Sequence, residues 1–174
     1  MEEEFVWKVL LVVDDTELAE KATECAIDLH LSGLRSKIYI FYIKDEEPIA
    51  IPSEEIERKR YAPVVAKAEK KIIETTEKLK KAGIDYEVLG YHIGIADEEV
   101  KRIEKTFEPD LIIYGAEKKS GVKKLFKGGC EERIIFETMA PVIVVKSRYM
   151  PKIRELVKEI PLLEIKERNA SVKV

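Results

Sequence analysis

Apolar residues along this chain fall into two alternating patterns. Short runs, Lys8–Val13, Lys37–Ile43, Tyr86–Ile93, Asp110–Tyr114 and Val142–Lys146, are separated by longer stretches with apolar residues every three or four positions. The runs have the length and β-branched content of buried strands, and the stretches between them read as amphipathic helices. In the first helix the stripe is Leu18, Ala22, Cys25, Ala26 and Leu29, with Thr16 as N-cap, Glu17 and Glu20 suiting the first turn, and Gly33 as stop. A loop over Lys44–Glu55 with two prolines leads to a second helix from about Pro63 to Lys81, striped by Val65, Ala68, Ile72, Thr76 and Leu79 and ended by Gly83. Gly94 opens a turn into a third helix carrying Ala96, Val100, Ile103 and Phe107. Pro109 delivers the fourth strand, and a short amphipathic helix after Gly128–Gly129 precedes Pro141 and the last one.

Strand and helix alternate throughout, and the connections are too long for hairpins. That pattern predicts an α/β fold: a five-stranded parallel sheet with helices on both faces, joined by right-handed crossovers. Ligands in such sheets bind beyond the carboxyl ends of the strands, where the strand order reverses. Asp14, Ile43, Gly94, Gly115 and Lys146 are predicted to lie along that edge. Residues 147–174 do not continue the alternation, so the chain divides into an α/β domain over 1–146 and a C-terminal extension over 147–174. Pro151–Glu159 reads as one helix; beyond Pro161, LLEIK and ASVKV read as short strands or irregular tail.

A chain of 174 residues is long enough for one domain to bury roughly 70% of its extended surface. Charged residues make up 37%, but the net charge is only -3, which argues against a dedicated nucleic-acid binder. Glutamine is absent and Asn169 is the only asparagine, while Lys and Glu abound, the composition expected of a thermophile's protein. Cys25 and Cys130 lack metal-ligand spacing and predict neither a disulfide framework nor a zinc site; Cys25 reads as a small core residue. The opening MEEEF is acidic, unlike a signal peptide, and no apolar run approaches the roughly 18 residues of a membrane span. The sequence thus predicts a soluble, cytoplasmic protein without membrane contact.

The stretch from Pro109 to Lys146 holds the candidate chemistry. A buried strand ends in Gly115, and a loop with Lys118, Lys119, Lys123, Lys124 and Lys127 closes on Gly128–Gly129 at the start of a helix. Small residues at a helix N-terminus can cradle an anion, because unpaired N–H groups point outward there and glycines let a phosphate approach. The same stretch also reads as a solvated, lysine-rich surface turn. Both readings stand on the residues alone.

Asp14–Asp15 after the first strand suits a Mg²⁺ pocket of the receiver-domain kind. That reading needs a phosphoacceptor aspartate at the end of a middle strand, where PDLIIYG and YHIGIA offer none. Asp15 or Thr16 is expected to cap the first helix and leave Asp14 free. Walker A, GxGxxG and GxSxG loops are absent. His92 sits near the strand-edge cleft without a nucleophile and reads as structural, and His30 as a surface or dipole-facing residue. No catalytic constellation assembles.

With the acid at Asp14 and the glycine loop in place, the chain resembles the universal stress protein family over roughly residues 6–146. VLLVVDDTELAEKATECAIDL resembles that family's opening strand, acid and helix, and HIGIADEEVKRIEKTFEPDLIIYG its third helix and fourth strand. The resemblance implies a Rossmann-like fold of the adenine nucleotide alpha hydrolase type. It also implies a stress-response module that binds ATP or AMP without catalysis. The family's nucleotide-binding pattern is Gly, two residues, Gly, nine residues, Gly, then Ser or Thr. Here Gly115, Lys118, Gly128 and Gly129 take those places, so the spacing is kept and two identities are lost. By resemblance, Asp14 and Ile43 hold the adenine, Gly115 admits the ribose, and Lys118, Gly128 and Gly129 face the phosphates. Lys118 adds a side chain where the backbone should come close, and Gly129 lacks a hydroxyl. The family also includes members that bind no nucleotide, so a dimeric adaptor of the same fold is the alternative reading. The resemblance further implies a homodimer paired through the Val142–Lys146 edge strand.

Overall fold

The structure, a computed structural model, describes residues 5–47, 49, 53–116 and 130–151, with residues 130–132 described as backbone only. Lys118, Gly128 and Gly129, and the predicted helix and tail beyond Pro151, lie outside the described residues. The described elements run β1 (Trp7–Val13), α1 (Leu18–Leu31), β2 (Ser36–Asp45), α2 (Glu54–Lys81), β3 (Tyr86–Gly94), α3 (Ala96–Phe107), β4 (Leu111–Gly115), α4 (Cys130–Glu137) and β5 (Val142–Val145). The strands form one parallel sheet in the order β3-β2-β1-β4-β5.

Because side chains alternate along a strand, each apolar run feeds two cores at once. Val9, Leu11, Val13, Ile38, Ile40, Tyr42, Leu111 and Ile113 pack with α1 and α2 residues on one face. Leu10, Val12, Phe41, Ile43, Ile112 and Tyr114 pack with α3 and Ile134 of α4 on the other. This two-sided burial is why the strands read as continuous rather than alternating apolar runs. Cys25 is buried on the α1 face of the core, as its place in the helical stripe predicts.

Three local expectations need correcting. Helix α2 starts at Glu54 instead of near Pro63. Ser53 caps it, accepting the Ile56 N–H, and Glu54, Glu55 and Glu57 occupy the first turn where the helix dipole favours acids. Those interactions carry the helix through Pro63, which sits inside it. Farther along, Thr75 is buried instead of Thr76, since 68, 72, 75 and 79 follow the helical period more closely. Finally, α1 is preceded by Glu17 at the N-cap with no side-chain cap bond, so Thr16 does not play that part.

The two sheet edges differ. In β3, Leu89 is an extra residue between Val88, opposite Ile40, and Gly90, opposite Phe41; Gly90 has φ +119, a left-handed conformation suited to glycine. β5 pairs regularly with β4 from Ile112–Val142 to Gly115–Val145. After β5 the chain turns back, and the Tyr149 hydroxyl donates to Asp28 of α1. Tyr149 packs against the α1 core, so ordered packing extends past residue 146.

Candidate functional site

The reversal of strand order falls at β1, between β2 on one side and β4 on the other. Val12 stands opposite Tyr114 and Val13 opposite Tyr42, so the β1–α1 turn emerges beside the end of β4 and the overhang of β2. Asp14, Ile43 and Gly115 are therefore gathered at one end of the sheet. Beyond Tyr42 the ladder to β1 stops, while Ile43, Lys44 and Asp45 stay paired with His92, Ile93 and Gly94 of β3.

Asp14 is half-buried and, contrary to expectation, partly committed. Its Oδ1 accepts from the Thr16 backbone N–H at 2.8 Å and from the Thr16 hydroxyl at 2.6 Å. No hydrogen bond from a described residue goes to Oδ2. Burial pushes the carboxyl above its ordinary pKa, and the two Thr16 hydrogen bonds offset only part of that. A carboxyl of raised pKa at a switch point, with one oxygen that no described residue bonds, suits a ligand-reading group.

Ile43 is fully buried, its side chain in the core shared with α3, so any ligand contact there falls to its backbone at the overhang. Gly115 is also buried, and its missing side chain makes room for the protein itself. A Cβ built there would come within 2.3 Å of the Leu18 carbonyl oxygen. The glycine lets the first turn of α1 settle on the end of β4.

Asp15 was missed as more than a possible helix cap. Its Oδ1 accepts from the Tyr42 hydroxyl at 2.6 Å, and its Oδ2 pairs with Lys44 Nζ at 3.3 Å. Burial pulls this carboxyl upward, but the Tyr42 and Lys44 hydrogen bonds together with the Lys44 charge outweigh it and leave the pKa below the ordinary value. The signal was available in the sequence: a tyrosine within a fully buried strand must find an acceptor for its hydroxyl. Asp45, also overlooked, accepts the Ala96 N–H at 3.0 Å and fixes the start of α3.

Beside the β1–α1 turn, a recess of about 300 Å³ is lined by Asp15, Lys67, Lys70, Lys71 and Glu74. A larger one, about 800 Å³, lies at the amino end of β4 and β5. Its buried acid, Glu104, already receives the Met139 and Ala140 N–H groups, each at 2.7 Å. The carboxyl edge, where Asp14 keeps an oxygen that no described residue bonds, is the better candidate, although none of Asp14, Ile43 and Gly115 lines the smaller recess. His92 rests its ring against Phe41 and meets Glu99 and Arg102, in keeping with a structural part. Among the described residues no cluster of His, Cys, Asp and Glu could hold a metal ion, and no helix is long and apolar enough to cross a membrane.

The family model for universal stress proteins matches residues 7–146. The chain belongs to the universal stress protein family. A universal stress protein of Methanocaldococcus jannaschii is 22% identical over 147 residues, covering 80% of this chain and 81% of that one. Among solved structures, the hypothetical protein MJ0577 superposes with a TM-score of 0.66 at 26% identity, over 83% of this chain and 98% of its own. A universal stress protein family member from Arabidopsis thaliana with AMP bound gives a TM-score of 0.57 at 16% identity, over 80% and 91%. As a universal stress protein, the chain has the family's parallel sheet and helices, as its sequence pattern predicts.

Proposed function

We propose that this universal stress protein is a regulatory module that binds ATP or AMP at the carboxyl edge of its sheet and works by binding, not by turnover. The observation that carries the reading is Asp14: a half-buried carboxyl of raised pKa, its Oδ2 unbonded among the described residues, beside the backbone overhang of β2. An adenine fits that pairing, since its 6-amino group donates and its ring nitrogens accept. Asp14 and the Ile43 backbone hold the base. Gly115, by seating α1 against β4, shapes the place for the ribose. Lys118, Gly128 and Gly129, one lysine and two glycines in the sequence between β4 and α4, are assigned to the phosphates on family spacing. The AMP bound by the Arabidopsis relative supports the ligand class. Isothermal titration of the full chain with ATP and AMP tests it: a saturable heat is expected, and no heat at millimolar ligand would remove the nucleotide role.

The same reading makes the protein a cytoplasmic homodimer, with residues 1–146 as the pairing unit and 147–174 as an extension. Of the two edges, β3 is interrupted at Gly90, whereas β5 keeps a regular ladder face for a partner. Phe136 and Met139, just before β5, are 82% and 93% exposed and offer apolar surface to cover. Sedimentation showing only monomer at high concentration would refute the dimer. An adaptor that pairs through β5 but ignores nucleotides is the second reading, favoured by that exposed pair and by Lys118 in a glycine's place.

A further inference from the structure

Tyr42 is 0% exposed, yet it carries a hydroxyl at the end of a core strand. A phenol buried without an acceptor is costly, whereas one that finds a carboxylate ties two elements together. Here the acceptor is Asp15 Oδ1, at 2.6 Å. Lys44, two residues on and therefore on the same face of β2, approaches the other oxygen of Asp15 at 3.3 Å. Both oxygens of Asp15 are thus held from β2. Thr16, the residue after Asp15, is bonded to Asp14 through its N–H and its hydroxyl. The β1–α1 turn is fastened twice just after Asp14, by Asp15 to β2 and by Thr16 back to Asp14.

We infer that Tyr42 is a positioning residue for nucleotide binding: acting through Asp15, it fixes the β1–α1 turn so that Asp14 presents Oδ2 to the base. The inference rests on the nucleotide reading above and deepens it. Tyr42 itself stays in the core and touches no ligand. Its ring packs with the α1 and α2 face, which Phe would preserve. Only the hydroxyl does the positioning, so it can be removed without emptying the core.

The test uses the full chain and three variants, Tyr42→Phe, Asp15→Ala and Asp15→Asn, titrated with AMP and with IMP. Tyr42→Phe and Asp15→Ala are each expected to weaken AMP about five- to tenfold, because a clamp acting through Asp15 passes on to the ligand only part of the roughly 12- to 160-fold that a hydrogen bond to a charged group is worth. Combined, they should do no more harm than either alone, because both break one linkage. Asp15→Asn keeps a carbonyl acceptor for Tyr42 and should retain most of the affinity. IMP lacks the amino group that Asp14 would accept, so the preference for AMP over IMP should shrink in Tyr42→Phe; an equal loss for both nucleotides would overturn the inference. A second measurement needs no nucleotide. The Asp14 carboxyl, whose charged neighbours are Asp15 and Lys71, should titrate closer to a free aspartate in Tyr42→Phe, read by carbon NMR. An unchanged Asp14 titration would sink the clamp whether or not nucleotide binds. Absence of AMP heat with the wild type would instead overturn the nucleotide reading itself.

Discussion

Gly115 lies against the Leu18 carbonyl so closely that a Cβ would stand 2.3 Å from its oxygen and 2.5 Å from its carbon. Both are backbone atoms of the first turn of α1, which cannot swing aside as a side-chain tip could. Gly115→Ala should therefore push α1 off β4 and cost about 1–3 kcal/mol by overpacking. Thermal unfolding should show a loss of about 2–4 °C per kcal/mol. A variant as stable as the wild type would mean that α1 can shift freely.

Glu104 is the second structural lock. Its Oε1 collects the Met139 and Ala140 N–H groups at 2.7 Å each and so sets the turn that leads into β5. Glu104→Ala should cost about 2–3 kcal/mol in denaturant unfolding, because two backbone donors lose their acceptor. Glu104→Gln keeps a carbonyl oxygen in place and should lose less than half of that. Hydrogen exchange at Met139 and Ala140 should accelerate in the alanine variant first.

Asp14 carries a cost at neutral pH. Its folded pKa is raised, chiefly by burial, so the charged form is less favourable folded than unfolded. That destabilisation is fully present above the folded pKa and disappears as pH falls through it to the unfolded value near 3.8. Asp14→Asn should thus raise the melting temperature at pH 7, with the gain vanishing by about pH 4, while nucleotide affinity falls. The neighbouring Asp15 has the opposite sign: its lowered pKa contributes stability above the ordinary value, lost only as pH drops below it. Asp15→Asn should show the mirror-image pH profile. Melting curves from pH 3 to pH 8 on both variants would separate the two contributions.

Pro63 interrupts the hydrogen-bond ladder of α2, having no N–H to offer the carbonyl one turn before it. The helix residues ahead of it are almost all exposed and rest on little of the core. Pro63→Ala should stabilise that first stretch by on the order of 1 kcal/mol and slow amide exchange between Ile56 and Ala62. Unchanged exchange there would show that the ladder is not what limits it.

The layout of the sheet was legible because burial on both faces leaves a plain mark: runs such as KVLLVV have no polar gap, and the glycines that end α1 and α2 do adopt positive φ. The start of α2 was not, since Pro63 is the stronger local signal and the Ser53 cap with three acids outweighs it only in combination. At the site, Asp14 could be picked out by its place after β1. Its bond to Thr16 and the hold of Tyr42 on Asp15 could not, because residues 15 and 42 meet only once β1 and β2 are aligned. Gly115 was found for its position, while its close approach to Leu18 depends on how α1 crosses the sheet.

The kink at Gly90 has an effect on how many copies can join. A sheet that is blunted along one rim and tidy along the other offers a single place to extend itself. Under the proposed pairing through β5, the two regular rims meet each other and the bulged rims of β3 are left outward, which favours a pair over continuation into a fibre.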